Sequence, residues 1–331
     1  MARSVFVLAF LASLAGCAAT PRASKRFPSG PDAPAAVTVD PWNYRGQPAR
    51  VLKTTHYEIH TTIPDDDVVM DVAQLMEGAY EQYKLIAPSV PLSEEPLQCY
   101  LFKDRPEWAV FTKSRTGAAA NIYLQIGRGG YTVGDWYVAY FVGDVGTYSV
   151  AAQEGWHQFV ARHFKTRPPP FLEEGLACLF EEVQWRGRRL PSWDLAQNNG
   201  RRNGLRDALQ SHTMIPLERL VTMHAGMVVD RPHEEVEGFY AQNWAFARFL
   251  WDAEDGRYRP ALQKLLADAA AGELHSDGGV KTSEDSAWQP KNVQPMLEHY
   301  LGMPLADVET AYLRYAKKIA GTAAVSSGNE S

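Results

Sequence analysis

The 331-residue chain predicts an α+β fold, with strands gathered in its first half and helices in its second. Two observations carry this. Four short stretches rich in β-branched and aromatic residues, "HYEIHTT", "LQCYLF", "NIYLQIG" and "WYVAYFV", all precede residue 143. From Thr147 onward, apolar residues recur at helical spacing through 147–164, 171–184, 237–254, 258–271 and 304–319. A hydrophobic content of 45% with 22% charge is that of a folded globular chain.

Each element has a local reason. In 56–62 the residues alternate, which predicts a strand with one buried face. Asp65 to Asp67 can cap the helix that follows, whose apolar positions Val68, Val72, Leu75, Met76, Ala79 and Tyr83 fall on one side. Segments 97–102, 121–127 and 136–142 are three further strands. Trp244, Ala247, Phe249, Leu250 and Trp251 pack the core, as do Trp156 and Phe159.

The termini are organised differently. Arg3 precedes "VFVLAFLASLAG", an apolar stretch too short to span a bilayer and suited to a secretory signal. Residues 18–50 hold six of the 21 prolines and sustain no apolar period, so they form an extended tether. The folded domain spans 51–320, and 321–331 is a frayed tail. Leu14-Ala15-Gly16-Cys17 resembles the lipobox of bacterial lipoproteins. The resemblance implies cleavage after residue 16, lipid on Cys17, and anchoring of the exported protein in the bacterial cell envelope. Cys99 and Cys178 then remain, and the apolar run "GLACLF" favours two buried free thiols. A net charge of −6 without a Lys/Arg run excludes a nucleic-acid face.

One stretch carries chemistry. "VAAQEGWHQFVARHF" contains Gln153-Glu154-x-x-His157, one residue away from the His-Glu-x-x-His of zinc peptidases. Residues at i and i+4 share a helical face and can grip one ion, with the intervening Glu next to the metal-bound water. Downstream, "PPPFLEEGLACLFEE" places Glu174 on a second helix, and Pro168 to Pro170 break the chain so that this helix can fold back beside the first. Glu173 is a solvent-facing neighbour and a rival in register. Arg186, Arg188 and Arg189 form a solvated basic turn. His163 points away from His157, and His56 and His60 lie on a strand that nothing places near Glu174.

Taken in order, "QEGWHQF", "PPPFLEEGLACLFE" and "FYAQNWAFARFL" resemble the bacterial peptidase-MA-like gluzincins, from about Thr54 to Ala316. That resemblance implies a thermolysin-like fold. It also implies His157 and Glu174 as zinc ligands, Glu154 as catalytic base and Tyr240 as an oxyanion donor. The departure is Gln153, which stands where the family has its first histidine ligand. A neutral amide oxygen is a far weaker zinc donor than an imidazole nitrogen. Two functions follow as expectations. One is a tethered pseudopeptidase that binds peptide or an envelope partner, with zinc weak or absent. The other is an active metallopeptidase with an altered ligand.

Overall fold

Strands are present upstream of the domain boundary expected at residue 51. A computed structural model describes residues 30–127, 129–187, 189–228, 230–276, 280–281 and 290–322. The signal segment, Cys17, Arg188 and tail residues 323–331 lie outside the described residues. The tether assignment, extending to residue 50, is corrected here. Strands β1 (Thr38–Tyr44) and β2 (Gln47–Lys53) form an antiparallel hairpin at the edge of a sheet. Its two-residue turn has positive φ at both Arg45 and Gly46, the geometry that matches strand twist. The prolines misled because β1 is an outermost strand, where Pro41 removes no ladder bond that the sheet needs. Upstream, the Gln74 amide pairs with both backbone groups of Ala35, at 2.7 and 2.9 Å, and straps the chain to the domain.

The sheet has six strands in the order β1-β2-β3-β4-β6-β5. β3 (Tyr57–Thr61) alternates buried and half-buried residues as its sequence predicts. Helix α1 (Asp66–Ile86) starts where Asp65 Oδ1 accepts from the N–H groups of Asp67 and Val68. It then carries the chain across to β4 (Leu97–Phe102), parallel to β3. On the opposite face, α2 (Arg105–Thr116) and α3 (Ala120–Tyr123) cover a second aromatic cluster built on Phe102 and Trp108. Residues 121–127 are therefore not the expected strand. Ile122 is 70% exposed, and Leu124 and Ile126 pack on that cluster from a turn. The extended segment comes later, as β5 (Gly130–Val133), antiparallel to β6 (Trp136–Tyr140).

The second half is mainly helical. Helix α4 (Asp144–His163) lies against α1, and α5 (Pro170–Ala177) follows it. The helix expected over 171–184 stops at Ala177, passes through one 3-10 turn, and gives way to a hairpin of β7 (Val183–Arg186) and β8 (Leu190–Trp193). Then come α6 (Asn199–Gln210), α7 (Leu217–Leu220), α8 (His233–Asp252) and α9 (Arg259–Ala271). A short pair, β9 (His275–Ser276) and β10 (Val280–Lys281), precedes α10 (Pro290–Leu301) and α11 (Leu305–Ala320). Trp156, Phe159, Trp244, Phe249, Leu250 and Trp251 are core residues as expected, and Cys99 and Cys178 are buried free thiols. Among the described residues, no helix is long and apolar enough to cross a membrane.

In the basic turn Arg186 is exposed, in keeping with the solvated reading, whereas Arg189 is half-buried and ion-paired. Arg186 donates to the Pro31 carbonyl, and Arg189 pairs with Asp67 and Asp71 of α1. At the end of α4, His163 Nδ1 accepts from Ser93 N–H at 3.2 Å while Nε2 lies 3.2 Å from Tyr80 Oη. Burial, helped by nearby Arg162 and His56, lowers His163 to about 4. The native state thus holds the neutral ring, and the unfolded chain takes up its proton first, near pH 6.5. Stability from this residue is complete above pH 6.5 and falls as pH drops toward 4. Allowing for solvent screening, the loss is about 1–2 kcal/mol. Urea midpoints at pH 7.5 and 4 should therefore separate less in His163→Gln than in wild type; equal separations would remove this role.

Candidate functional site

Four side chains meet where α4 crosses α5. The Pro168–Pro170 break turns the chain back, as the sequence predicts, and brings α5 against α4. His157 Nδ1 lies 2.8 Å from Glu173 Oε1, and His157 Nε2 lies 3.5 Å from Glu174 Oε2. The second separation is an ion-pair contact too long for a good hydrogen bond. Arg167, in the α4–α5 connection, grips both oxygens of Glu173, with Nε at 3.0 Å from Oε2.

Glu173 is only 4% exposed, so its assignment to solvent was wrong. Consecutive residues on a helix point about 100° apart, which leaves room for both carboxylates to flank one imidazole. Each takes a different nitrogen of His157. Glu174 keeps the position facing Nε2, and Glu173 orients the ring from behind, as a carboxylate behind a metal-binding histidine does.

The electrostatics are coupled. Burial alone would lower His157, but the charge of Glu174 and the contacts with both carboxylates push it well above the usual histidine range. Burial would raise Glu173, yet Arg167 and His157 outweigh it and hold the carboxyl low. Glu154 is different. Burial raises it, and His157 and a 2.8 Å hydrogen bond from Thr132 Oγ1 only partly offset that rise. A carboxyl whose affinity for a proton is raised in this way, beside a histidine, is the kind of group that can act as a general base.

Tyr240 reaches the same centre from α8. Burial and the Glu174 charge push its phenol well above its ordinary value, so it stays protonated and able to donate. Its approach depends on Gly175. A Cβ at that position would run into the Asn243 carbonyl of α8, so only glycine allows the close crossing. Gly175→Ala should cost about 1–3 kcal/mol through this overlap. A thermal melt shows it, and an unchanged melting temperature would mean that α8 can withdraw freely.

Gln153 sits one turn before His157 and lines a cavity of about 1070 Å³ between α1, α4, α6 and the β7–β8 hairpin. Arg201 of α6 closes one wall. It is held bidentately by Glu181, bonds Glu237 at 3.0 Å, and lies 4.9 Å above the Tyr240 ring. The structure therefore brings together His157, Glu174, Glu154 and Tyr240, with Gln153 on the same face of α4. His56 bonds Glu77 and His60 stacks on Tyr100, so neither substitutes as a ligand.

Thr132, Arg167 and Arg201 escaped sequence reading, and Glu173 was read as a solvent-facing rival to Glu174 and not as a partner of His157. Only Arg167 left a signal, as a cation just before the proline break.

A zinc site of the gluzincin kind needs three protein donors. His157 Nε2 and Glu174 supply two, and the Gln153 amide oxygen is a weak third. Among the described residues, no group of three His, Cys, Asp or Glu side chains is arranged to hold a metal ion. No family model matches this chain, and neither a curated protein nor a solved structure does.

Proposed function

We propose that the protein is a lipid-anchored envelope protein with a gluzincin-like cleft. On this reading it binds peptide or an envelope partner and has lost zinc-dependent hydrolysis. The observation that carries it is the facing pair His157 and Glu174, held by Glu173 and Arg167, with a glutamine where the third strong donor belongs. The thermolysin-like fold is part of the proposal, supported by the order of motifs and by the packing of α4, α5 and α8.

A peptide has a place to lie. β5 is the outermost strand of the sheet beyond β6, and its Thr132 bonds Glu154. An extended chain can add to such an edge. Anchoring through Cys17 also gains a geometric consequence. Because the chain is strapped down at Ala35, residues 18–34 can span at most about 60 Å, so the domain would stay within that reach of the membrane.

The competing reading is an active metallopeptidase, favoured by the retained Glu154 and Tyr240. Purified protein should be incubated with a mixed peptide pool, with added zinc and with chelator, and the products read by mass spectrometry. Intact peptides in both conditions are expected. Chelator-sensitive cleavage would overturn the pseudopeptidase reading in favour of the enzyme.

A further inference from the structure

The cavity beside Gln153 has a strongly biased lining. Asp67, Asp71, Asp144, Glu181, Glu182 and Glu237 face it, against the two guanidiniums of Arg189 and Arg201. Arg189 is engaged by Asp67 and Asp71, and Arg201 by Glu181 and Glu237, which leaves Asp144 and Glu182 outside both sets of ion pairs, Glu182 accepting hydrogen bonds from the backbone and side-chain N–H groups of Asn199. One wall is aromatic. The rings of Tyr148 and Trp185 meet edge to face at 5.5 Å, and Tyr148 Oη donates to Asp71 Oδ2 at 3.3 Å.

We infer that this cavity receives a lysine or arginine side chain of a bound peptide, with its alkyl stem on Tyr148 and Trp185 and its cationic head among Asp71, Asp144 and Glu182. The inference rests on the peptide-binding reading of the neighbouring cleft. Four observations support it. At about 1070 Å³ the cavity is far larger than a single ion needs. Its mixture of rings and carboxylates suits an amphipathic cation, whose stem covers apolar surface while its head stays polar. The protein already uses this chemistry internally: Arg201 lies over the Tyr240 ring with its guanidinium forked onto Glu181. The cavity also reaches Gln153, one helical turn from His157, so a peptide crossing the candidate site can place a neighbouring side chain in it.

The test compares three capped hexapeptides that differ at one central position, carrying lysine, arginine or the uncharged isostere norleucine. Binding to the purified chain is read by calorimetry, with free 1,5-diaminopentane as a fourth ligand. The lysine and arginine peptides should bind at least about tenfold more tightly than the norleucine peptide. Raising sodium chloride from about 50 to about 500 mM should erode that advantage, because screening shortens the reach of the carboxylate field. Asp144→Asn with Glu182→Gln should reduce the preference for the cationic peptides over the norleucine peptide about threefold or more. Asp144 is exposed, so Asp144→Asn alone serves if the double variant fails to fold.

Equal binding of all three peptides would overturn the charge assignment and leave the peptide reading standing. Binding of the diamine without any peptide would overturn the peptide occupant. If no ligand binds, both the inference and the peptide-binding reading fall.

Discussion

Glu173→Ala is expected to destabilise the protein by about 3 kcal/mol or more, the largest effect of any single side chain near the site. The residue is almost fully buried and is shared by His157 and Arg167. Removing one member of a buried ionic network costs more than the network contributes, because the remaining charge loses its compensation. Arg167 suffers little, since its side chain is 47% exposed and water can replace the lost carboxylate. His157 is the costly orphan, at 11% side-chain exposure with Glu174 as its remaining ion-pair partner. It can shed its proton, which keeps the cost toward the lower end of the range for buried pairs. Glu173→Gln preserves shape and one acceptor, and should lose about half as much. Urea denaturation measures both. A loss below about 1 kcal/mol in the alanine variant would place Glu173 at the surface and break the account of how His157 is oriented.

What could be read beforehand divides along physical lines. Helices α1 and α8 were legible because each buries a continuous apolar stripe, from Val68 to Tyr83 and from Phe239 to Trp251. β3 and β4 were legible because their residues alternate. β1 and β2 were not: Pro41 resembles a linker residue unless one knows that β1 lies at an edge, and Pro48 falls in the part of β2 that precedes its pairing with β3. The β7–β8 hairpin was hidden because "CLFEEVQW" continues an apolar helical pattern, and only tertiary packing ends the helix at Ala177.

The Glu173–Glu174 ambiguity has the same origin. Two adjacent acids on one helix cannot be sorted by periodicity when both flank a histidine, and the deciding partner, Arg167, enters through a loop whose path the sequence does not dictate. The pairing of His157 with Glu174 was foreseeable because it needs only the i/i+4 motif, a proline break and a second helix.

Gln153→His should convert a weak or absent zinc site into a tight one. The substitution places an imidazole one turn before His157 on the same face of α4, and so supplies a second histidine beside the facing pair of His157 and Glu174. The other parts are already in place. Glu173 orients the ring of His157, Glu154 lies beside it, and Gly175 lets Tyr240 approach. Losing even a residue that merely orients a ligand costs about 10–100-fold in affinity, so restoring a direct ligand should gain at least about 100-fold. At a free zinc concentration 100 times the dissociation constant, linkage adds about 2.7 kcal/mol to stability. Metal content after dialysis and melting temperature with and without zinc give two readouts that do not depend on activity. Wild type should retain little metal and melt at the same temperature in both buffers, whereas the variant should retain one equivalent and melt higher with zinc. One tightly held zinc in wild type would mean that the Gln153 amide suffices, and the pseudopeptidase reading would give way to the enzyme. No zinc in either protein would mean that Gln153 was not the decisive loss and that the cleft departs from a zinc site elsewhere as well.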